Sequence, residues 1–205
     1  MLDNRSVRNG MARVIQPVAR ALLAIGLTPD AVTVIGAVGL SASALYFLPR
    51  GQFGLGLIIC LAFGFSDMLD GTMARLTGTT GKWGAFLDSS LDRLADGAVF
   101  TALLIYFVRT DSPWIVAATV VCLIGGTLVS YTKARAEGLG VECTVGIAGR
   151  SERLIIAAVG VLLAALNVPY GLQTALVILA VLTVITVLQR MVAVHQTIGR
   201  EGSTP

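Results

Sequence analysis

The sequence predicts an all-α integral membrane protein, with six transmembrane helices preceded by an amphipathic juxtamembrane helix. Two observations carry that expectation. First, 55% of the 205 residues are apolar and only 13% are charged, whereas a soluble domain carries about 25% charge. The mean hydropathy of +0.82 agrees, and one soluble core cannot absorb so much apolar sequence in so short a chain. Second, Lys and Arg collect at alternate ends of the apolar runs, which reads as membrane topology. The same placement argues against nucleic acid as a partner, although the sequence pI is near 9.0.

Residues 5–24 are read as the juxtamembrane helix. Val7, Met11, Val14 or Ile15, Val18 and Leu22 recur at helical spacing, with Arg5, Arg8, Arg13 and Arg20 mainly between them. A basic amphipathic helix lying in the membrane interface suits this pattern; a plain surface helix is the alternative. The segment lacks the early apolar core and the cleavage site of a signal peptide. Thr28-Pro29-Asp30 then reads as a helix start, with Thr28 as N-cap and Pro29 as first helical residue.

Six apolar stretches follow, over roughly 31–49, 53–75, 84–108, 113–134, 153–167 and 171–190. Most approach the ~20 residues that cross a bilayer core; the fifth is short. Residues 31–190 are therefore expected to form a six-span bundle, and 1–205 a single membrane domain without internal repeats. Counted by connection, Lys and Arg are rich before the first span, between spans two and three, between spans four and five (Lys133, Arg135, Arg150 and Arg153) and after the last span. They are poor elsewhere, so both termini of this multi-pass cell-membrane protein are expected to face the cytoplasm. Cys60, Cys122 and Cys143 form no CxxC pair and read as small apolar fillers.

The chain has twelve Asp and Glu, and Asp67, Asp70, Asp88, Asp92 and Asp96 fall in the expected cytoplasmic halves of spans two and three. Carboxylates at membrane depth are costly and usually functional. Arg75 and Arg93 are too few to neutralise five aspartates by structural pairing. At about 3.6 residues per turn, Asp67, Asp70, Gly71 and Ala74 share an arc of about 100°. Gly84, Asp88, Asp92 and Asp96 likewise share one face of the third span. Carboxylates converging from both faces would repel one another unless a cation lay between them. Hard oxygen ligands without His or Cys favour Mg²⁺, Mn²⁺ or Ca²⁺ over zinc. His195 lies far toward the C-terminal end and reads as a bystander. Gly71 and Ala74 either admit a ligand to the helix backbone or serve helix packing.

Asp67-x-x-Asp70-Gly71-x-x-Ala74-Arg75, then eight residues, then Gly84-x-x-x-Asp88-x-x-x-Asp92 resembles the signature of the CDP-alcohol phosphotransferase family at all eight fixed positions. The family fold, six spans with a juxtamembrane helix, covers nearly the whole chain. The resemblance implies two divalent ions, Mg²⁺ or alternatively Mn²⁺. Asp67, Asp70 and Asp88 would hold one, and Asp67, Asp88 and Asp92 the other, with Asp92 also the general base. It implies that Gly71, Ala74 and Arg75 contact the CDP group of the lipid donor, together with Pro29, Asp30, Ala31, Val32, Thr80 and Gly81. It also implies a homodimer. Asp96 lies outside the motif and has no assigned role.

Lys133, Arg135, Arg150, Arg153 and Arg190 cluster at the expected cytoplasmic ends of spans four to six. A basic pocket of this kind suits a phosphorylated acceptor. Ser130-Tyr131-Thr132-Lys133-Ala134-Arg135-Ala136-Glu137, then Glu152-Arg153-Leu154-Ile155-Ile156, then Gln189-Arg190 resemble one branch of that family, the bacterial phosphatidylinositol phosphate synthases. This implies CDP-diacylglycerol and inositol 1-phosphate as substrates, with Ser130, Lys133, Arg153 and Arg190 holding the acceptor phosphate. Glycerol 3-phosphate, the acceptor of phosphatidylglycerophosphate synthases, would suit the same basic pocket. A cation transporter using buried carboxylates is a remote alternative; the outer halves of spans one, five and six offer it no acidic residue.

Overall fold

The computed structural model describes residues 15–201, and among these every regular element is helical. Helix α1 is described over Ile15–Ala24. It is followed by α2 (Pro29–Phe47), a 3-10 turn (Leu48–Arg50), α3 (Phe53–Gly64), α4 (Ser66–Thr77), α5 (Lys82–Arg109), α6 (Pro113–Glu137), α7 (Arg150–Ala165) and α8 (Gly171–Glu201). The expected helices follow in order, except that the second stretch is split into α3 and α4 and the last helix runs on to Glu201, well past the expected end at 190. The N-terminal part of the expected 5–24 helix lies outside the described residues.

Among the described residues, four helical stretches are long and apolar enough to cross a membrane: Pro29–Arg50, Phe53–Thr77, Pro113–Glu137 and Gly171–Gly199. The other two expected spans do not meet that test. Helix α5 has 28 residues but carries Asp88, Asp92 and Arg93 in its first half and Asp96 just beyond it, and α7 has only 16.

The chain divides into two compact units, Met1–Ser43 with Ile58–Ala95, and Ala44–Leu57 with Asp96–Pro205. In the first unit, α2 begins as the sequence indicates: the Ala31 N–H donates to Thr28 Oγ1 at 3.2 Å, with Pro29 following the cap. Ala19 of α1, Val32 of α2 and Met73 of α4 form a small buried core, joined by Leu22, Leu23, Leu27 and Leu69. Ala19 is fully buried while Val18 is 45% exposed, so the packed face of α1 is built on the smaller residue. The second expected span is broken at Phe65 into α3 and α4. The Ser66 hydroxyl donates back to the Phe63 carbonyl at 2.6 Å. Helix α2 meets this break through a glycine: a Cβ at Gly36 would lie 1.6 Å from Ser66 Oγ, so only glycine admits this approach.

In the second unit, α6 and α7 pack against α8. Buried Leu172, Leu176, Leu179, Thr183, Thr186 and Arg190 recur every three or four residues along α8, the spacing of a packed helical face. The α6–α7 connection is tied to that face. The Ala148 N–H donates to Thr186 Oγ1 at 2.9 Å and the Ile147 N–H to Gln189 Oε1 at 3.2 Å.

Candidate functional site

The site in the first unit is built by α2, α4, α5 and the connection between the last two. Helix α4 ends at Gly78, whose φ of 68° is left-handed and whose N–H donates to the Ala74 carbonyl. That φ favours glycine. The short Gly78–Gly81 connection then leads into α5 and Asp88. Asp67 and Asp70 sit in the first half of α4. The carboxylates of Asp67, Asp70 and Asp88 offer oxygen atoms that all lie within 4.8 Å of one another. Three like charges this close repel strongly at low dielectric unless a cation lies among them. The all-oxygen donor set fits a hard divalent ion.

Asp70 is the most buried of the three. It is 7% exposed, accepts from the Thr33 hydroxyl at 2.5 Å and from the Gly71 N–H at 2.5 Å. These two donors fix the direction of the carboxylate, the outer-shell arrangement that tunes a metal ligand. The sequence reading missed Thr33, because its partner is 37 positions away. Its one local signal is its place on the first turns of α2, four residues after Pro29. Thr33→Val, which keeps shape and removes the donor, is expected to weaken Mn²⁺ binding by about 10–100-fold. A fluorescence or paramagnetic-resonance titration of the purified protein checks this.

A cavity of about 320 Å³ opens over the three carboxylates. Pro29, Asp30, Gly71, Ala74, Arg75, Thr80 and Gly81 line it, with Thr33, Thr79, Gly84 and Ala85. Seven of the nine residues expected at the donor lipid's CDP group are thus gathered around the acidic cluster. Ala31 and Val32 are not among the lining residues, and the Val32 side chain is spent in the core with Ala19 and Met73. Trp83, a second residue the sequence reading missed, donates its indole N–H to Asp30 Oδ2 at 3.0 Å. Asp92 falls outside the converging group; Arg93 Nη2 lies 3.5 Å from its Oδ2.

The four residues expected at the acceptor phosphate all lie in the second unit. Ser130 on α6 donates to the Gly126 carbonyl at 3.3 Å. Arg190 donates Nε to the Val145 carbonyl at 2.9 Å and Nη1 to the Val129 carbonyl. Arg153 is 1% exposed, its Nη2 3.4 Å from Asp96 Oδ2. Both arginines approach the α6 segment 126–130: Arg190 bonds the Val129 carbonyl, and a Cβ at Gly126 would stand 3.3 Å from Arg153 Nε. Lys133 is exposed and lies 3.7 Å from Glu137 one turn along α6, a surface pair of small energetic weight.

The family model described as CDP-alcohol phosphatidyltransferase matches residues 26–197. A phosphatidylinositol phosphate synthase of Streptomyces avermitilis is 44% identical over 202 residues, covering 94% of this chain and 82% of that protein. The enzyme of the same name from Mycolicibacterium smegmatis is 42% identical over 196 residues, covering 94% and 88%. The crystal structure of Mycobacterium tuberculosis phosphatidylinositol phosphate synthase with CDP-DAG bound is similar at a TM-score of 0.85 and 40% identity, covering 89% of this chain and 94% of that one. Its complex with manganese and citrate gives 0.83 and 41%, covering 88% of each. With seven of its eight signature residues lining the acidic cavity, this chain belongs to the CDP-alcohol phosphatidyltransferase family.

Proposed function

We propose that this membrane protein transfers the phosphatidyl group of CDP-diacylglycerol to a hydroxyl of inositol 1-phosphate, giving phosphatidylinositol phosphate and CMP. The observation that carries this reading is the meeting of three carboxylates within 4.8 Å in a cavity lined by the family's CDP-site residues. Relatives above 40% identity along nearly the whole chain bear the name of that synthase.

Asp67, Asp70 and Asp88 would hold one Mg²⁺ or Mn²⁺ ion, and Asp67, Asp88 and Asp92 a second. Such ions, when bound, neutralise the pyrophosphate and stabilise the departing CMP. The chain's own residues do the rest. Thr33 and the Gly71 N–H keep the Asp70 carboxylate directed. Gly71 and Ala74 leave room beside the α4 backbone for the CDP group, and Arg75, on the same cavity wall, adds positive charge toward its phosphates. Pro29, Asp30, Thr80 and Gly81 complete the donor subsite. Ser130, Lys133, Arg153 and Arg190 hold the acceptor phosphate. Asp92 takes the proton from the attacking hydroxyl as its oxygen bonds to the phosphorus bearing diacylglycerol. The bond from that phosphorus to the CMP oxygen breaks, and CMP leaves with the electron pair. A carboxylate is a weak base toward an alcohol and serves by accepting the proton in the transition state.

The six-span topology belongs to the same proposal. Helix α5 would reach about 42 Å at ~1.5 Å per residue, enough to cross with its aspartates in one half. Helix α7 would cross with help from its flanks. The Lys and Arg pattern supports cytoplasmic termini and a cytoplasmic site. The homodimer and the single 1–205 domain rest on the family resemblance.

The test is lipid-product identification by mass spectrometry, with inositol 1-phosphate and glycerol 3-phosphate offered together. Phosphatidylinositol phosphate as the main product supports the reading. Phosphatidylglycerophosphate as the main product would keep the chemistry and reassign the acceptor.

A further inference from the structure

Asp96 lies outside the eight signature positions, four residues beyond Asp92 on α5. It is 8% exposed, and a carboxylate so placed is costly unless it serves something. Its two oxygens are divided between two guanidinium groups. Oδ1 lies 3.3 Å from Arg150 Nε, and Oδ2 lies 3.4 Å from Arg153 Nη2. Both arginines belong to the first turn of α7. Gly126 closes Arg153 in from α6, where a Cβ would press on Nε. Arg153 is therefore gripped between a carboxylate and a glycine that leaves it no slack.

We propose that Asp96 is a positioning residue for the phosphorylated acceptor: its carboxylate holds Arg150 and Arg153 as a paired cation that receives the acceptor's phosphate. This rests on the reading above, in which Arg153 takes that phosphate. Two guanidinium groups at one site repel, and a single carboxylate touching both offsets that repulsion while fixing their direction. It engages one N–H of each five-donor fork. A buried ion pair adds little net stability, while removing one partner leaves an uncompensated charge.

The experiment is steady-state CMP release by the purified full-length protein, varying inositol 1-phosphate and CDP-diacylglycerol separately. Asp96→Asn is expected to raise the acceptor KM by about tenfold or more, while the donor KM stays within about twofold. Asp96→Glu, which restores the charge, is expected to recover at least about half of that rise on a logarithmic scale. An acceptor KM in Asp96→Asn within about twofold of the wild type overturns the proposal, as do equal rises in both KM values. If Asp96→Asn does not fold, Arg150→Gln removes the other arginine of the pair that Asp96 holds; an unchanged acceptor KM there also overturns it. Failure of the underlying reading looks different. A wild-type protein that accepts only glycerol 3-phosphate moves the same KM comparison to that acceptor, and one that uses no phosphorylated acceptor overturns both.

Discussion

Asp92→Asn is expected to lower turnover by about 10²–10⁴-fold, the range over which a positioned proton acceptor contributes to catalysis. The amide keeps the shape of the carboxylate and cannot take the hydroxyl proton. Asp92 also stands outside the group of three carboxylates that converge, so the same change should leave those three assembled while removing a ligand of the proposed second ion. It also takes the charged partner from Arg93, and the protein is expected to remain folded. Single-turnover CMP release, read beside thermal unfolding in Mn²⁺, separates these effects. Turnover within about threefold of the wild type would remove Asp92 from proton transfer.

Asp70→Asn strikes the metal site itself. Asp70 is the most buried of the three converging carboxylates, and Thr33 and the Gly71 N–H already fix its direction. Loss of an outer-shell partner typically costs 10–100-fold in metal affinity, so loss of this ligand is expected to cost more than about 100-fold. A ligand that binds only the folded state raises stability by about 2.7 kcal/mol at a hundred times its Kd. The wild type should therefore melt higher in Mn²⁺, and Asp70→Asn should not respond at the same concentration. Without metal the order reverses: the variant should be at least as stable as the wild type, since one of three mutually repelling charges is gone. A variant that keeps the Mn²⁺-induced rise would show that Asp70 is not a ligand.

Much of this was legible in the sequence because it is local. Thr28 and Pro29 announce the start of α2 through residues within one turn. Asp67, Asp70 and Asp88 lie on two adjacent helices joined by four residues, so helical periodicity nearly suffices to bring them together. The break at Phe65 was hidden, because it depends on Ser66 bonding back to Phe63 and on Gly36 of another helix admitting the contact. Thr33 and Asp96 were hidden for the same reason: their partners are 37 and more than 50 positions away. Arg190 reads in the sequence as a phosphate ligand; the fold also spends two of its donors on the Val145 and Val129 carbonyls, pinning the α6–α7 connection. Periodicity marks which residues share a face, and long-range packing decides which of them meet.

The central claim is that the aspartate cluster holds divalent metal and that this makes CDP-diacylglycerol cleavable by inositol 1-phosphate. The most direct test is CMP release by the purified protein with inositol 1-phosphate as sole acceptor, measured before chelation, after it, and after Mg²⁺ or Mn²⁺ is restored. The account predicts release that depends on the acceptor, stops on chelation and returns with either ion. Release that continues unchanged after thorough chelation would contradict it.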